Sequence, residues 1–421
     1  MEIVASQGTH RSGFLADRQV GLLAAITLAA WLVGALRPRW LAALGISDYG
    51  TSYLDSYAVL ASLDAVRAGA DPHGANPLDP LMRGHVYSDW WLALRWLGLT
   101  RAHNLAVGTT WVGAFVVTAW LTARPRRLGE ALWLAALFIS PPFMLAVNRA
   151  NNDLVIFVLL AGCGLAATAA VWWRQLVAVV CLGLATGLKY FPAPAALAFL
   201  WIRPVRRMPA IFLAALLAVV LALRSVWTEI DRGRFTVGST VHTMGAPLWW
   251  RELGWRDSDS AVPGMLLILV MAGVLALGRI TVGLSTHGKP PERLRAALGA
   301  IMLLTCFVAG VSYAYRWIFI VWPALWLWRR ATEVSLPGRQ RRVARAGCAL
   351  VLLCLWLDGI FCLIVNRGLP PMGMARLDHL QSVWLLWTQP LDWLLMVGLA
   401  GWLLEAALAT VREWWNARHE N

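Results

Sequence analysis

Lysine is almost missing from this chain: of 37 basic residues only Lys189 and Lys289 are lysines. Charge of any kind is scarce, at 14% of residues against 59% hydrophobic. With a mean hydropathy of +0.60, such a chain lies outside the soluble range. Paired cysteines are missing too. Cys163, Cys181, Cys306, Cys348, Cys354 and Cys362 are scattered through apolar runs with no CxxC, which fits free buried thiols and not a disulfide framework or a zinc site. No period of about 20–50 residues recurs, so a repeat array is excluded. No Ser/Gly-rich linker sets off a soluble part, leaving one polytopic domain over residues 1–421. The first apolar run ends in "LRPRW" without a small-residue cleavage site and reads as an uncleaved signal anchor.

What is present is apolar sequence in lengths set by a bilayer. A hydrocarbon core of about 30 Å needs about 20 apolar residues per helix. That ruler gives an all-α polytopic membrane protein with about eleven transmembrane helices. The segments fall near 19–36, 103–123, 129–147, 154–171, 176–190, 209–227, 263–283, 295–311, 317–328, 343–364 and 383–408. A shorter piece, 193–202, reads as re-entrant or broken. The net charge of +14 does not point to nucleic acid. Arginines cluster at 124–127, 203–207, 287–295 and 329–345, each between apolar segments, and all four share one side if 193–202 crosses. The positive-inside rule makes that side cytoplasmic. Tryptophan pairs at 90–91, 172–173, 249–250 and 414–415 suit interfacial belts, with membrane lipids as partners.

Three polar stretches then face outward: 48–102, 228–262 and 365–382. In the first, Leu54, Ala58, Ala61 and Ala65 make an apolar stripe over 52–68, as in a helix lying in the interface. "GADPHGANPLDP" breaks that helix, and 90–99 suits a second interfacial helix. This stretch reads as a structured cap. Three cations stand at the outer edge, where they are costly: Arg149 in "NRANND", Lys189 in "GLKYFP" and Arg316 in "YAYR". Singly, each could snorkel to headgroups. Together, beside asparagines and tyrosines, they suit a phosphate held at the membrane surface. An acidic loop facing such a cavity is the layout for moving a sugar from a lipid phosphate, with a carboxylate deprotonating the acceptor hydroxyl and cations stabilising the leaving phosphate. No nucleotide fold, metal or cofactor is obligatory for that chemistry. A "DSD" at 257–259 leaves a divalent metal open.

The stretch "DSYAVLASLDAVRAGADPH" (55–73) resembles the segment after the first span in glycosyltransferase family 87 and related C-type (GT-C) membrane glycosyltransferases. Its matching positions are Asp55, Tyr57, Gly69, Asp71 and Pro72, with His73 where tyrosine is usual. "NRANNDLVIFVLL", "GLKYFP" and "YAYRWIFIVWP" resemble later segments of that family, in the same order. The resemblance implies a GT-C-like bundle with the catalytic aspartate in the first outer loop. It also implies a polyprenyl-phosphate sugar donor, a lipid or glycan acceptor, inversion at the anomeric carbon, and action on the outer face of a bacterial cytoplasmic membrane. Asp55 becomes the candidate base, with Asp48 as the alternative. Lys189, Arg316 and Arg149 become donor-phosphate ligands. Tyr57, Asn151, Asn152, Asp153, Tyr313, Tyr315, Asp71 and His73 become substrate-binding candidates, and His242 in the second stretch is a further one. Asp79, Arg83, His85 and Tyr87 are expected on the acceptor side. Ser52-x-x-Asp55 also reads as a capping box, in which the carboxylate serves only a backbone N–H. A lipid-linked glycan flippase would need ionisable residues at mid-span, whereas the charges read as gathered at span ends. A polysaccharide polymerase or ligase would place its centre in a late outer loop.

Overall fold

The structure, a computed structural model, describes residues 38–46, 50–169, 171–201, 207–232, 241–254, 257–277, 289–368 and 374–419. Apart from one antiparallel pair, β1 (Thr243–Met244) with β2 (Ser312–Tyr313), every described element is helical. In chain order these are α1 (Pro38–Ala43), α2 (Leu54–Arg67), α3 (Asn104–Ala123), α4 (Leu128–Phe138), α5 (Pro141–Arg149), α6 (Asp153–Ala167) and α7 (Trp172–Leu188). There follow α8 (Met208–Arg232), α9 (Ala246–Glu252), α10 (Asp257–Leu277), α11 (Pro290–Val308), α12 (Val321–Thr332), α13 (Gly338–Gly368) and α14 (Met374–His419). Short 3-10 turns cover Asp89–Leu97, Ala193–Trp201 and Ala314–Ile320.

Among the described residues four helices are long and apolar enough to cross a membrane: Arg101–Ala123, Met208–Trp227, Gly338–Arg367 and Arg376–Glu413. A fifth span results if the bent pair α4–α5, which meets at 61°, counts as one. Among the described residues the eleven expected spans are not matched one for one by helices of that length, for a visible reason. Hydropathy counts apolar segments, whereas crossing also needs an unbroken helix. Pro141 and Pro142 break one segment, since proline cannot continue the helix before it. The segments at 154–171 and 176–190 become helices of 15 and 17 residues. The 193–202 piece is a 3-10 run, as its expected irregularity required. The outward stretch expected at 365–382 is largely helix, because α13 runs on to Gly368 and α14 begins at Met374. The expected span at 19–36 and most of the 203–207 cluster lie outside the described residues.

The core lies between α3, α5, α6, α11 and α12. Phe157 stacks on Trp322 at 4.3 Å between ring centroids and meets Phe115 edge-on at 4.9 Å. Gly299 of α11 lets the 314–320 segment come close: a Cβ there would stand 2.4 Å from the Phe319 carbonyl. Gly245 does the same beside the Gly310 carbonyl, at 2.5 Å, just after β1. These close approaches, together with the β1–β2 pairing, fix where Tyr313, Tyr315 and Arg316 stand. α3 spans 20 residues, about 30 Å at the helical rise, so its two ends lie about one hydrocarbon thickness apart. Asn104 at one end bonds the first loop, where it accepts from Ser56 Oγ at 2.6 Å. Arg124 follows the other end.

Candidate active site

The site is assembled at the Asn104 end of α3 from four separated pieces of chain. The first is α2, entered through Tyr53 in a left-handed conformation (φ 57°) with no side-chain cap. The capping-box alternative for Asp55 is therefore not realised. Its carboxylate, 1% exposed, is met by side chains. Arg149 donates twice, from Nε and Nη2 at 2.8 Å each. Asn151 Nδ2 donates at 2.6 Å and Arg83 Nη1 at 3.1 Å. Burial alone would push the Asp55 pKa up, but the charge and hydrogen bonds of Arg149, then Arg83 and Asn151, hold it at about 2.

The second piece is the turn between α5 and α6. Ala150 is left-handed at φ 41°, and the Asn151 N–H returns to the Ala146 carbonyl at 3.0 Å. That conformation ends α5 as an αL cap does and turns Arg149 and Asn151 toward the same carboxylate. Asn151 Oδ1 then accepts from the Asp153 N–H at 2.9 Å.

The third and fourth pieces carry the other cations. Lys189 follows α7 in extended conformation and ion-pairs with Asp153 Oδ1. Arg316 Nε lies 3.7 Å from Asp153 Oδ2, its guanidinium 4.7 Å over the Phe191 ring. Lys189 Nζ lies 5.4 Å from Phe191 and 5.5 Å from Tyr87. Arg149 covers the Tyr313 ring at 4.9 Å, and Tyr313 stacks on Tyr315. Tyr315 is buried among Asp153, Arg316, Asp55 and Arg149. Four cations (Arg83, Arg149, Lys189, Arg316) against three carboxylates (Asp55, Asp79, Asp153) leave one positive charge in excess. Asn152 is fully buried, yet neither atom of its amide has a partner. Native structures rarely leave a buried amide so.

Of the residues expected in the site, the structure thus brings together Asp55, Arg149, Lys189, Arg316, Asn151, Asn152, Asp153, Tyr313 and Tyr315. Others stand apart. Tyr57 lies about 200° around α2 from Asp55 and bonds Arg101. Asp71 is exposed and caps its own turn, accepting from the His73 N–H at 3.0 Å. His73 pairs with Asp89 at 3.2 Å and with the His85 carbonyl. His242 is taken by the Leu44 carbonyl at 2.6 Å and packs on Cys362, away from the cluster. Its backbone still helps, since its carbonyl accepts from the Ala314 N–H. Asp48 lies outside the described residues.

Arg83 was expected only on the acceptor side, and it reaches further. Asp79 grips it through Nε and Nη2 at 3.0 and 2.9 Å, Leu54 O accepts from Nη2, and Nη1 completes Asp55. The sequence signal was an Asp and an Arg four apart in a proline-broken loop, which does not specify the third partner. The described part of the loop packs on the end of α7. Trp91 Nε1 donates to the Leu188 carbonyl at 3.1 Å, and the Trp90 ring covers Gly187, where a Cβ would lie 2.2 Å from it. Arg83 also lines a narrow space of about 10 Å³, together with Ala58, Ser62, Gly84, His85, Val86 and Tyr87.

Two other charged groups complete the picture. At the far end of α3, three of the arginine clusters converge. Arg126 pairs with Glu292, and Arg329 pairs with Glu130 at 2.9 Å and Glu292 at 3.4 Å. In the long apolar helices, Asp358 of α13 accepts from Trp384 Nε1 at 3.1 Å, and Asp392 of α14 accepts from Gln389 at 3.3 Å. This corrects the reading that all charges gather at span ends. Among the described residues no three His, Cys, Asp or Glu side chains group as a metal site would need. Comparison with known proteins finds no matching family model, curated protein or solved structure.

Proposed function

We propose that the chain is an integral-membrane glycosyltransferase of the GT-C type, resembling family 87. It moves a hexose, with mannose among the candidates, from a polyprenyl-phosphate donor to a lipid or glycan acceptor at the outer face of a bacterial cytoplasmic membrane. The observation that carries this reading is the meeting of Asp55 with Arg149, Lys189 and Arg316 in one buried cluster. In the proposed reaction the acceptor hydroxyl attacks the anomeric carbon from the face opposite the phosphate. Asp55 takes the hydroxyl proton, the bond from the anomeric carbon to the phosphate oxygen breaks, and the configuration inverts. Lys189, Arg316 and Arg149 stabilise the charge gathering on the leaving phosphate. Asn152, with an idle amide between Asn151 and Asp153, is suited to a phosphate or sugar oxygen.

A carboxylate with four donors is a weak base. The anionic donor itself relieves this, because the phosphate competes for Arg149, and each hydrogen bond withdrawn from Asp55 raises its basicity. The excess positive charge of the cluster favours entry of that anion. The test is purified protein in nanodiscs with a panel of radiolabelled polyprenyl-phosphate sugars and a total membrane-lipid extract as acceptor. Transfer by wild type and none by Asp55→Asn supports the reading; wild-type rates in Asp55→Asn rule out Asp55 as the base. A second reading, a lipid-linked glycan flippase, draws support from Asp358 and Asp392 inside the spans. Movement of labelled lipid across the bilayer without change of the sugar linkage would favour it.

A further inference from the structure

The narrow recess lined by Arg83, which itself bonds Asp55, has a wall that the chemistry above does not use. His85 is 4% exposed, and its two ring nitrogens differ. Nε2 lies 3.1 Å from the Ser88 carbonyl. A carbonyl only accepts, so Nε2 carries the hydrogen and Nδ1 of the neutral ring presents a lone pair. That Nδ1 is buried and has no partner. Burial lowers the His85 pKa to about 4, against the opposing pull of the Ser88 carbonyl and Asp89, so the ring is neutral at ordinary pH. The same recess is lined by Arg83, which donates to Asp55, and by Ser62, whose hydroxyl donates to the Ala58 carbonyl and keeps its lone pairs free. Gly84 lets this wall close, since a Cβ there would stand 2.3 Å from the His73 carbonyl.

We propose that this recess is the subsite for one hydroxyl of the acceptor, accepted by His85 Nδ1 and opposite a donor from Arg83. The proposal rests on the transferase reading and adds the acceptor's chemistry. A neutral lone pair beside a guanidinium suits a group that donates and accepts at once, which a hydroxyl does and a carboxylate or an ammonium does not. The volume of about 10 Å³ admits a group the size of one water, so a single hydroxyl of a larger polyol enters and the rest of that molecule stays outside. The acceptor is then a sugar or polyol headgroup carrying at least two hydroxyls, one bound here and one reacting near Asp55.

The experiment uses the full chain in nanodiscs, the radiolabelled donor panel, and the membrane-lipid extract as the acceptor pool. His85→Phe removes the lone pair, and His85→Asn returns an acceptor oxygen near the position of Nδ1. Ser62→Thr leaves His85 in place and fills the recess from α2. For His85→Phe and Ser62→Thr the half-saturating extract concentration rises about tenfold, the worth of one hydrogen bond left unmade in a buried site. The donor KM and the rate at saturating extract stay within about threefold, and His85→Asn returns to within about threefold of wild type. An unchanged half-saturation in both His85→Phe and Ser62→Thr overturns the subsite, as does an equal rise in His85→Asn and His85→Phe, which marks a packing role. Absence of transfer by the wild type overturns the transferase reading and this inference with it. Active wild type with unaffected variants overturns this inference alone.

Discussion

The two ends of α3 are both built from arginines and buried carboxylates, and they are put together differently. At the Arg124 end, Glu130 and Glu292 share Arg126 and Arg329, and Arg329 also caps the last carbonyls of α3 by donating to Ala123 and Arg124 at 3.0 Å. Each acid there has a short side-chain partner and each end of that network leads back to the backbone. At the Asn104 end, Asp55 has four donors, while next to it Asn152 has none and the Arg316 Nε and Asp153 Oδ2 atoms make no hydrogen bond at 3.7 Å. At the Arg124 end both carboxylates are paired, whereas at the Asn104 end an idle amide and an idle carboxylate oxygen stand next to a saturated acid, which is what a ligand completes.

The widest break in this comparison comes from Asp55→Asn. Transfer falls by about 10²–10⁴-fold, the usual share of a general base, in protein that still runs as one species in size exclusion. Next is Arg329→Met at the opposite end. It leaves Glu130 and Glu292 short of charge, so thermal unfolding shows a loss of about 3 kcal/mol, the low end for a buried pair because Arg126 remains. Transfer per folded molecule does not change. A drop in specific activity as large as the drop in stability would mean that the two ends are one device.

A third test is pH. The folded Asp55 carboxyl titrates at about 2, below its ordinary 3.8, so the folded state binds fewer protons than the unfolded state. Its contribution, about 2 kcal/mol, is complete above about pH 4 and is lost as pH falls through 2. In Arg83→Gln the contribution is smaller and is exhausted at a higher pH, because one of the opposing cations is gone and the folded carboxyl moves back toward its ordinary value. Tryptophan fluorescence during acid titration reads this, and identical curves for the two proteins would remove Arg83 from the account. The smallest effect belongs to the third group. Trp384→Phe deletes one hydrogen bond to Asp358 and costs about 1 kcal/mol in unfolding, with transfer unchanged; altered transfer would draw the spans into the chemistry.

How much of this could be read in advance depends on the range of the interaction. Asp55 after the first apolar stretch, Arg149 and Asn151 in a four-residue turn and Lys189 just before Pro192 are local patterns, and the structure gathers them. Arg83 was legible only as a partner of Asp79, because its bond to Asp55 joins positions 28 apart through a loop whose path no periodicity encodes. His242 looked available in a polar stretch, and it is spent on Leu44, 198 residues away in sequence. Among the described residues fewer helices of spanning length stand than apolar segments, because apolar content persists through Pro141 and through 153–167 and 172–188 while a helix of full length does not. Asp358 and Asp392 sit in apolar runs rich enough to hide single carboxylates from a hydropathy window.

The Trp90 ring seated on Gly187 has a mechanical meaning. The cap and the last turn of α7 are latched at that point, and Lys189 hangs from the same turn. Any residue with a Cβ at 187 would push the Trp90 ring off α7, and the loop and Lys189 would lose their common anchor together.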